Sequence, residues 1–414
     1  MEASLSRSAA ISTRSVGAVF LWLLVFSGGF VFREPAPYEL FAVVMIPIWF
    51  LAGLPLPRQI APLFVFLLLY LIGGIIGLSQ VKTYDQAPIF IAVTGFLALT
   101  SIFFACLIAE DHRRLKTIAN AYIASACVSI GLGLAGYFRL VPGAFDLFTL
   151  YGRASGGFED PNVFGPFLIL PLGLLFYSLM NREPGSSMLR LVLMLFVLLG
   201  IFMSFSRASW GLAVFTLGGI FLLSMINARR PADRLRMFAF LVIAVLGAIV
   251  LVLVALSSDQ VSALFAERAQ IVQEYDSGRV GRFARQALGF KLVADRPLGL
   301  GALEFGRRYY PGDPHNIWLK SFTAYGWLGG ISYPILVFWT IIRAAPLLFK
   351  PRPWQPVLIV SFVVFTGHQV IGIVIDIDHW RHYFLLLGLI WGMIAAEARW
   401  PGRQQPESAA NSPI

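Results

Sequence analysis

Residues 237–256 read MFAFLVIAVLGAIVLVLVAL, twenty consecutive residues without a charged side chain. Spanning the hydrocarbon core of a bilayer takes about 20 apolar residues in helical form, because lipid offers the backbone no other hydrogen-bond partners. This stretch therefore predicts a membrane-spanning helix. Similar stretches recur along the chain, so the predicted fold class is an all-α integral membrane protein with about twelve transmembrane helices, at approximately 16–32, 38–55, 61–79, 88–109, 117–141, 162–180, 189–205, 209–227, 237–257, 316–342, 355–375 and 382–398.

The composition of the whole chain favours lipid as its solvent. The 414 residues are 58% hydrophobic and 13% charged, with a mean hydropathy of +0.76, which is more apolar surface than a soluble core could bury. The net charge of +10 would suggest nucleic acid as the partner of a soluble protein. Here many of the arginines lie in short loops between apolar runs, where membrane topology accounts for them. We therefore expect membrane lipids and no nucleic acid as partners.

Basic residues in alternate loops predict the orientation. Lys and Arg concentrate on the cytoplasmic side of membrane proteins. One side collects Arg7, Arg14, Arg58, Arg113, Arg114, Lys116, Arg182, Arg190, Arg229, Arg230, Arg234, Arg236, Arg343, Lys350, Arg352, Arg399 and Arg403. The short loops opposite hold only Arg33, Lys82, Arg139, Arg153, Arg207 and Arg381. The first set is predicted to be cytoplasmic, together with both termini.

This count divides the chain into four parts. Residues 1–257 form transmembrane helices 1 to 9, residues 258–315 form one large loop on the outer face, residues 316–398 form helices 10 to 12, and residues 399–414 form a disordered cytoplasmic tail. Long loops are exempt from the charge rule, so the basic residues of the outer loop need another explanation.

Three arginines in that loop follow one another at intervals of three residues. At 100° per residue, Arg279, Arg282 and Arg285 cover an arc of about 120° on a helix, which predicts an amphipathic helix on the membrane surface. A planar guanidinium suits phosphate, so the row could hold a diphosphate at the headgroup level. A helix that merely faces solvent or lipid headgroups explains the spacing as well.

A histidine stands where the loop returns to the membrane. In Asp313-Pro-His315-Asn316, the imidazole of His315 lies at the predicted start of the tenth span. Imidazole titrates near neutral pH and could take a proton from a sugar hydroxyl. The alternative is a helix N-cap made by Asp313 or Asn316, with His315 a bystander.

Several short motifs, taken in order, resemble those of the O-antigen ligase and polysaccharide polymerase superfamily of membrane proteins. They are Gly157-Phe-Glu-Asp-Pro-Asn162, Ser206-Arg207-Ala-Ser209, Gly281-Arg282, Pro297-Leu-Gly-Leu-Gly301, His315-Asn316-x-x-Leu319 with Gly326-x-x-Gly329, and Asp376-x-Asp378-His-Trp-Arg381 with the residues up to Gly388. The resemblance runs from about Gly152 to Trp391. This sequence departs from it at Gln286, where many relatives are expected to have an aromatic residue.

The resemblance implies a metal-independent transferase without a cofactor, acting at the periplasmic face of a bacterial cytoplasmic membrane. Its donor would be a glycan on undecaprenyl diphosphate, its acceptor a glycan or the lipid A core, and other polysaccharide-assembly proteins could be partners. His315 and Arg282 would act in catalysis. Arg207, Arg279, Arg285 and Arg153 would bind the diphosphate, and Asn316, Asp376, Asp378 and Arg381 would support the site.

Three alternatives stay open at this point. Ligation and polymerisation differ only in the acceptor, so these residues do not separate them. A transporter or flippase of a lipid-linked saccharide also needs about twelve spans, and His368 and Gln369 in the eleventh span hint at one. His379 and His382 could bind a metal together with Asp376 and Asp378, although nothing else in the sequence favours such a site.

Overall fold

Helices account for the whole architecture, apart from one short hairpin, in the computed structural model, which describes residues 2–270, 281–309 and 312–400. A helix covers most of each apolar segment that the sequence predicted, and 162–180 is covered by a pair. The twelve segments correspond to Glu2–Ser27, Pro37–Leu51, Ala61–Gly77, Ala87–Glu110, Arg114–Tyr137, Pro161–Phe167 with Ile169–Met180, Ser187–Met203, Arg207–Asn227, Pro231–Leu256, Ile317–Ala344, Gln355–Ile371 and Arg381–Arg399.

Seven helical stretches in the described residues are long and apolar enough to cross a membrane, and four further apolar helices are shorter. The chain therefore has the helical character of a membrane protein, while twelve crossings stay a prediction. Outside these helices lie the short helices Ala144–Phe148, Asp259–Arg268, Arg282–Ala294 and Glu304–Arg308, and a two-stranded antiparallel hairpin of Thr149–Leu150 with Arg153–Ala154. The predicted outer loop is thus partly helical, and the all-α prediction leaves out the hairpin and an isolated bridge between Val31 and Phe158.

The predicted span 162–180 is broken at Leu168. Pro171 has no N–H, so it cannot donate to the Phe167 carbonyl one turn earlier. The Tyr122 hydroxyl donates to that carbonyl instead, at 3.0 Å, and so fastens the break to a neighbouring helix.

Glycines allow the central helices to pack backbone against backbone. A Cβ on Gly73 would lie 2.5 Å from the Tyr325 carbonyl oxygen, and one on Gly388 would lie 2.5 Å from the Ser101 carbonyl oxygen. By contrast, the Pro231–Leu256 helix buries only Met237, which suits a helix that faces lipid.

Contacts between loops define the two ends of the bundle. At one end, Arg381 pairs with Glu34, Arg153 donates to the Ser204 carbonyl, and the Lys82 amide donates to Glu304. At the other end, Lys350 and Arg352 pair with Glu397. The first end contains the loops that the charge count assigns to the outer face, so those loops do lie together.

Candidate active site

His315 lies in the turn just before the Ile317–Ala344 helix. Its φ of 50° is in the left-handed region, which is uncommon for a residue other than glycine. The Asn316 side chain accepts a hydrogen bond from the Leu319 amide at 3.1 Å, so Asn316 is the N-cap. Asp313 does not make the cap. The His315 side chain is 44% exposed, and its Nδ1 lies 3.5 Å from Asp376 Oδ2, so the ring contacts a carboxylate as well as solvent.

Lys320 connects the carboxylates around His315 and was not singled out by the sequence analysis. It is 7% exposed, and its Nζ lies 3.0 Å from Asp313, 3.5 Å from Asp376 and 3.4 Å from Asp378. The ammonium also lies 5.0 Å from the centre of the Phe90 ring, on which it can make a cation–π contact. A buried charge is tolerated only when it is paired, and Lys320 meets that condition three times.

Asp376 contacts both His315 and Lys320. Burial by itself raises the pKa of its carboxyl, but the Lys320 ammonium and the His315 ring outweigh burial and hold the pKa below its ordinary value of 3.8. Asp376 is therefore ionised at neutral pH. An ionised carboxylate beside Nδ1 can orient the imidazole and stabilise it after it gains a proton.

Gln286 holds this region together from the outer loop. Its side-chain amide is buried and donates to the Ile373 carbonyl at 2.9 Å and, over longer distances, to the carbonyls of Pro314 at 3.3 Å and His315 at 3.4 Å. One amide thus joins the Arg282–Ala294 helix to the turn that carries His315 and to the segment that leads to Asp376. No aromatic side chain carries an NH2 group with two donors, which gives the departure at Gln286 a structural role.

The predicted row of arginines is found in part. The helix begins at Arg282, and Arg279 lies outside the described residues. Arg285 Nη1 lies 3.4 Å from the Asp313 carbonyl oxygen, two residues before His315. Phe283, Ala287 and Phe290 are exposed on another face of the same helix, so the helix is amphipathic, and its place on a membrane surface stays a prediction.

Arg153 and Arg207 lie on the same end of the bundle but contact other groups. Arg153 is buried, and its guanidinium donates to the Ser204 carbonyl at 2.8 Å and to the Asn162 side chain at 2.9 Å. It links the hairpin to the motif that ends at Asn162 and to Ser204, two residues before the motif that begins at Ser206. Arg207 begins the Arg207–Asn227 helix and donates to the Gln270 carbonyl at 3.0 Å. Diphosphate binding by either arginine stays a prediction.

Asp378 and Arg381 belong to the motif that begins at Asp376, and they contact different parts of the protein. Arg381 forms ion pairs with Glu34 and Glu39, which hold the Arg381–Arg399 helix to the start of the second predicted span. Asp378 faces Lys320 and also lines a small apolar cavity with Tyr70, Tyr333 and Tyr383.

The histidines proposed as alternative metal ligands point into different surroundings. His379 Nε2 lies 3.0 Å from Thr94 Oγ1 and 3.2 Å from the Phe90 carbonyl oxygen. Burial lowers the pKa of His379, so its ring is neutral at pH 7. His382 packs against His368 and Trp380. Within 2–270, 281–309 and 312–400, no group of three or more His, Cys, Asp and Glu side chains could hold a metal ion.

Comparison with known proteins identifies a family for the part of the chain that contains most of this geometry. Residues 192–333 match the family model described as O-antigen ligase. The matched segment includes Arg207, Arg282, Gln286, His315 and Lys320, and it supports an O-antigen ligase or polymerase type of function, which is glycosyl transfer by a membrane enzyme. No curated protein matches the chain. The predicted resemblance is therefore confirmed at the level of the superfamily.

Proposed function

We propose that this chain, whose residues 192–333 match the O-antigen ligases, transfers a glycan from undecaprenyl diphosphate to an acceptor sugar hydroxyl. The reaction takes place at the periplasmic face of the bacterial cytoplasmic membrane, where the donor's headgroup is accessible while its tail stays in lipid. The acceptor is the lipid A core or a growing polysaccharide. The observation that carries the proposal is the contact of His315 with the Asp376 carboxylate, which also contacts the Lys320 ammonium.

His315 acts as the general base. With Nδ1 directed at Asp376, Nε2 is the ring nitrogen that accepts the proton of the acceptor hydroxyl. The acceptor oxygen then bonds to the anomeric carbon of the donor sugar as the bond from that carbon to the diphosphate oxygen breaks. Undecaprenyl diphosphate leaves with the electron pair, and the proton stays on His315 until it is released to water.

Arginines stabilise the departing diphosphate. Arg282 and Arg285 lie in the first turn of the Arg282–Ala294 helix, and Arg279 precedes this helix in the sequence. The Gln286 side chain joins the helix to the turn that carries His315. Together with Arg207, and with Arg153 as a further predicted contact, these arginines supply planar donors for phosphate oxygens. Their positive charge offsets the negative charge that develops on the leaving group.

The proposed chemistry uses no metal and no cofactor. The carboxylates of Asp313, Asp376 and Asp378 all contact the Lys320 ammonium, so a cation of the protein itself already pairs with them. The leaving group therefore depends on arginines rather than on a metal ion.

Replacing His315 tests the proposal. Asn adopts a left-handed backbone more readily than most residues, so His315→Asn should keep the turn while removing the base. Loss of a general base typically lowers a rate by about 10²–10⁴-fold. We expect a loss of this size in liposomes that contain the purified protein, a lipid-linked glycan and an acceptor, without ATP. His112→Asn, at the other end of the bundle, is the matched control.

The same assay separates the competing class. A transporter would move the donor across the bilayer without consuming it, so neither the native protein nor the His315→Asn variant would form product. If the native protein does form product and the His315→Asn variant forms it at the same rate, His315 is not the general base. The hint of transport in the eleventh span has a structural explanation. Gln369 accepts from Tyr333 at 2.8 Å and donates toward Tyr383 at 3.4 Å, which is a closed buried network rather than an open path.

A further inference from the structure

A second polar recess lies at the same end of the bundle, between residues 80–85 and residues 296–309. It is an open cleft of about 610 Å³. Its lining contains Lys82, Thr83, Arg296, Arg307, Arg308 and Tyr309 around the Glu304 carboxylate. None of these residues belongs to the group around His315, so the cleft needs its own explanation.

Glu304 fixes two of the guanidiniums. It is 1% exposed, pairs with Arg308, lies 3.7 Å from Arg307 and accepts from the Lys82 amide at 3.3 Å. Arg307 also donates to the Thr83 carbonyl at 3.1 Å. Both arginines are therefore held in place before any ligand arrives, which lowers the entropic cost of binding one.

The cleft keeps an excess of positive charge. Asp85 and Glu304 are the carboxylates that pair with Arg307 and Arg308. Lys82 and Arg296 also face the cleft, and neither forms an ion pair with a residue in the described part of the chain. Two cations are thus left over in a concave site, which concentrates the positive potential there.

We propose that this cleft binds a phosphate group, at a site separate from the one around His315. Guanidiniums present planar forks of donors that match phosphate oxygens, and the lysine adds a charge from the opposite wall. The cleft is wide and open enough for the phosphate to belong to a larger molecule. A phosphorylated glycan and an anionic lipid headgroup share this chemistry. The proposal does not depend on the transferase reaction.

The test places a reporter beside the cleft. Tyr84, which is exposed between Lys82 and Asp85, is changed to Cys in a Cys106→Ser, Cys127→Ser background and labelled with an environment-sensitive fluorophore. The full-length protein is then titrated with inorganic phosphate in phosphatidylcholine nanodiscs at constant ionic strength. We expect a saturable change in fluorescence.

Paired variants decide the result. Lys82→Gln with Arg296→Gln should weaken phosphate binding by about tenfold or more, because hydrogen bonds to charged groups are among the stronger ones. Arg33→Gln with Lys291→Gln, which removes one Arg and one Lys away from the cleft, should leave binding unchanged. No saturable response, or equal affinity in both double variants, would overturn the proposal.

A second arm identifies the source of the phosphate. If phosphatidylglycerol in the nanodisc competes with inorganic phosphate, the cleft takes a lipid headgroup. If it does not compete, the cleft takes phosphate on a soluble or glycan-borne molecule. The His315→Asn variant should respond to phosphate like the native protein, so a failure of the transferase proposal leaves this result intact.

Discussion

At the scale of single residues, His315, Asp376 and Lys320 form a chain of contacts in which each group acts on the next. Lys320 keeps Asp376 ionised, and Asp376 faces the ring nitrogen that is not needed for the reaction. In the proposed reaction, the acceptor hydroxyl meets the exposed side of the ring. The function of His315 in this account therefore depends on two side chains that do not touch substrate.

Asp376→Asn should show whether Asp376 acts by orienting His315 or by binding the donor. The amide keeps the shape of the side chain but cannot stabilise the imidazolium, so the maximal rate of transfer should fall by about tenfold or more. The concentration of donor at half-maximal rate should change little, because Asp376 does not contact the diphosphate. Asp295→Asn, an exposed change at the end of the Arg282–Ala294 helix, is the control. Equal rates in the two variants would remove Asp376 from the mechanism.

The Asp376→Asn variant should also differ from the native protein in how its stability depends on pH. Because the folded state holds the pKa of Asp376 below the unfolded value, this group contributes stability above pH of about 4, and the contribution is lost as pH falls through the folded pKa. Thermal unfolding of Asp376→Asn between pH 3 and 7 should therefore show a weaker acid dependence than the native protein shows.

Lys320→Met should destabilise the fold. The change removes the cation that three carboxylates share, and breaking a buried ion pair typically costs about 3–5 kcal/mol. Lys291→Met on the exposed face of the outer-loop helix should cost less than about 0.5 kcal/mol. Denaturant unfolding in detergent measures both. A loss for Lys320→Met no larger than the loss for Lys291→Met would contradict the structural role of Lys320.

At the scale of elements, the Pro297–Gly301 turn and the break in the Ile317–Ala344 helix fit each other. Gly326 has φ 63° and ψ −170°, which interrupts the helix. The Trp327 amide donates to the Pro297 carbonyl at 2.8 Å, and the Leu300 amide donates to the Thr323 carbonyl at 2.7 Å. The turn thus satisfies backbone groups that the interruption leaves without helical partners, and it holds the outer loop close to His315.

Gly326→Ala should loosen this junction. The backbone conformation is open almost only to glycine, and a Cβ would come within 2.7 Å of the Pro297 carbonyl oxygen. We expect a loss of about 2 kcal/mol or more. Gly247→Ala is the matched change, in a helix where nothing lies within 4 Å of the added Cβ, and it should be neutral or slightly stabilising. Similar unfolding midpoints for the two variants would contradict the fit described here.

At the scale of the whole molecule, long apolar segments were enough to predict the long helices of residues 2–270, 281–309 and 312–400, because lipid forces helical structure on such segments. They did not predict the break at Gly326 or the one at Leu168. Both depend on partners far away in the sequence, the Pro297 carbonyl and the Tyr122 hydroxyl. A pattern confined to one segment contains no information about such partners.

The candidate site was predicted in part for the same reason. His315, Asn316, Asp376 and Asp378 were named from short motifs, and the structure brings all of them to the segment around Lys320. Lys320 itself was missed, although a lone lysine in an apolar span is a signal of function. The partners of Arg381, Glu34 and Glu39, could not be inferred because they lie more than three hundred residues away.

The proposed reaction requires the His315 end of the bundle to face the periplasm. Labelling of single cysteines by a membrane-impermeant maleimide tests this directly in spheroplasts of cells that carry the Cys106→Ser, Cys127→Ser protein. Asp295→Cys, in the outer loop, should be labelled in intact spheroplasts, whereas Arg113→Cys, at the opposite end, should be labelled only after permeabilisation. The reverse pattern would put His315 in the cytoplasm and contradict the proposed reaction.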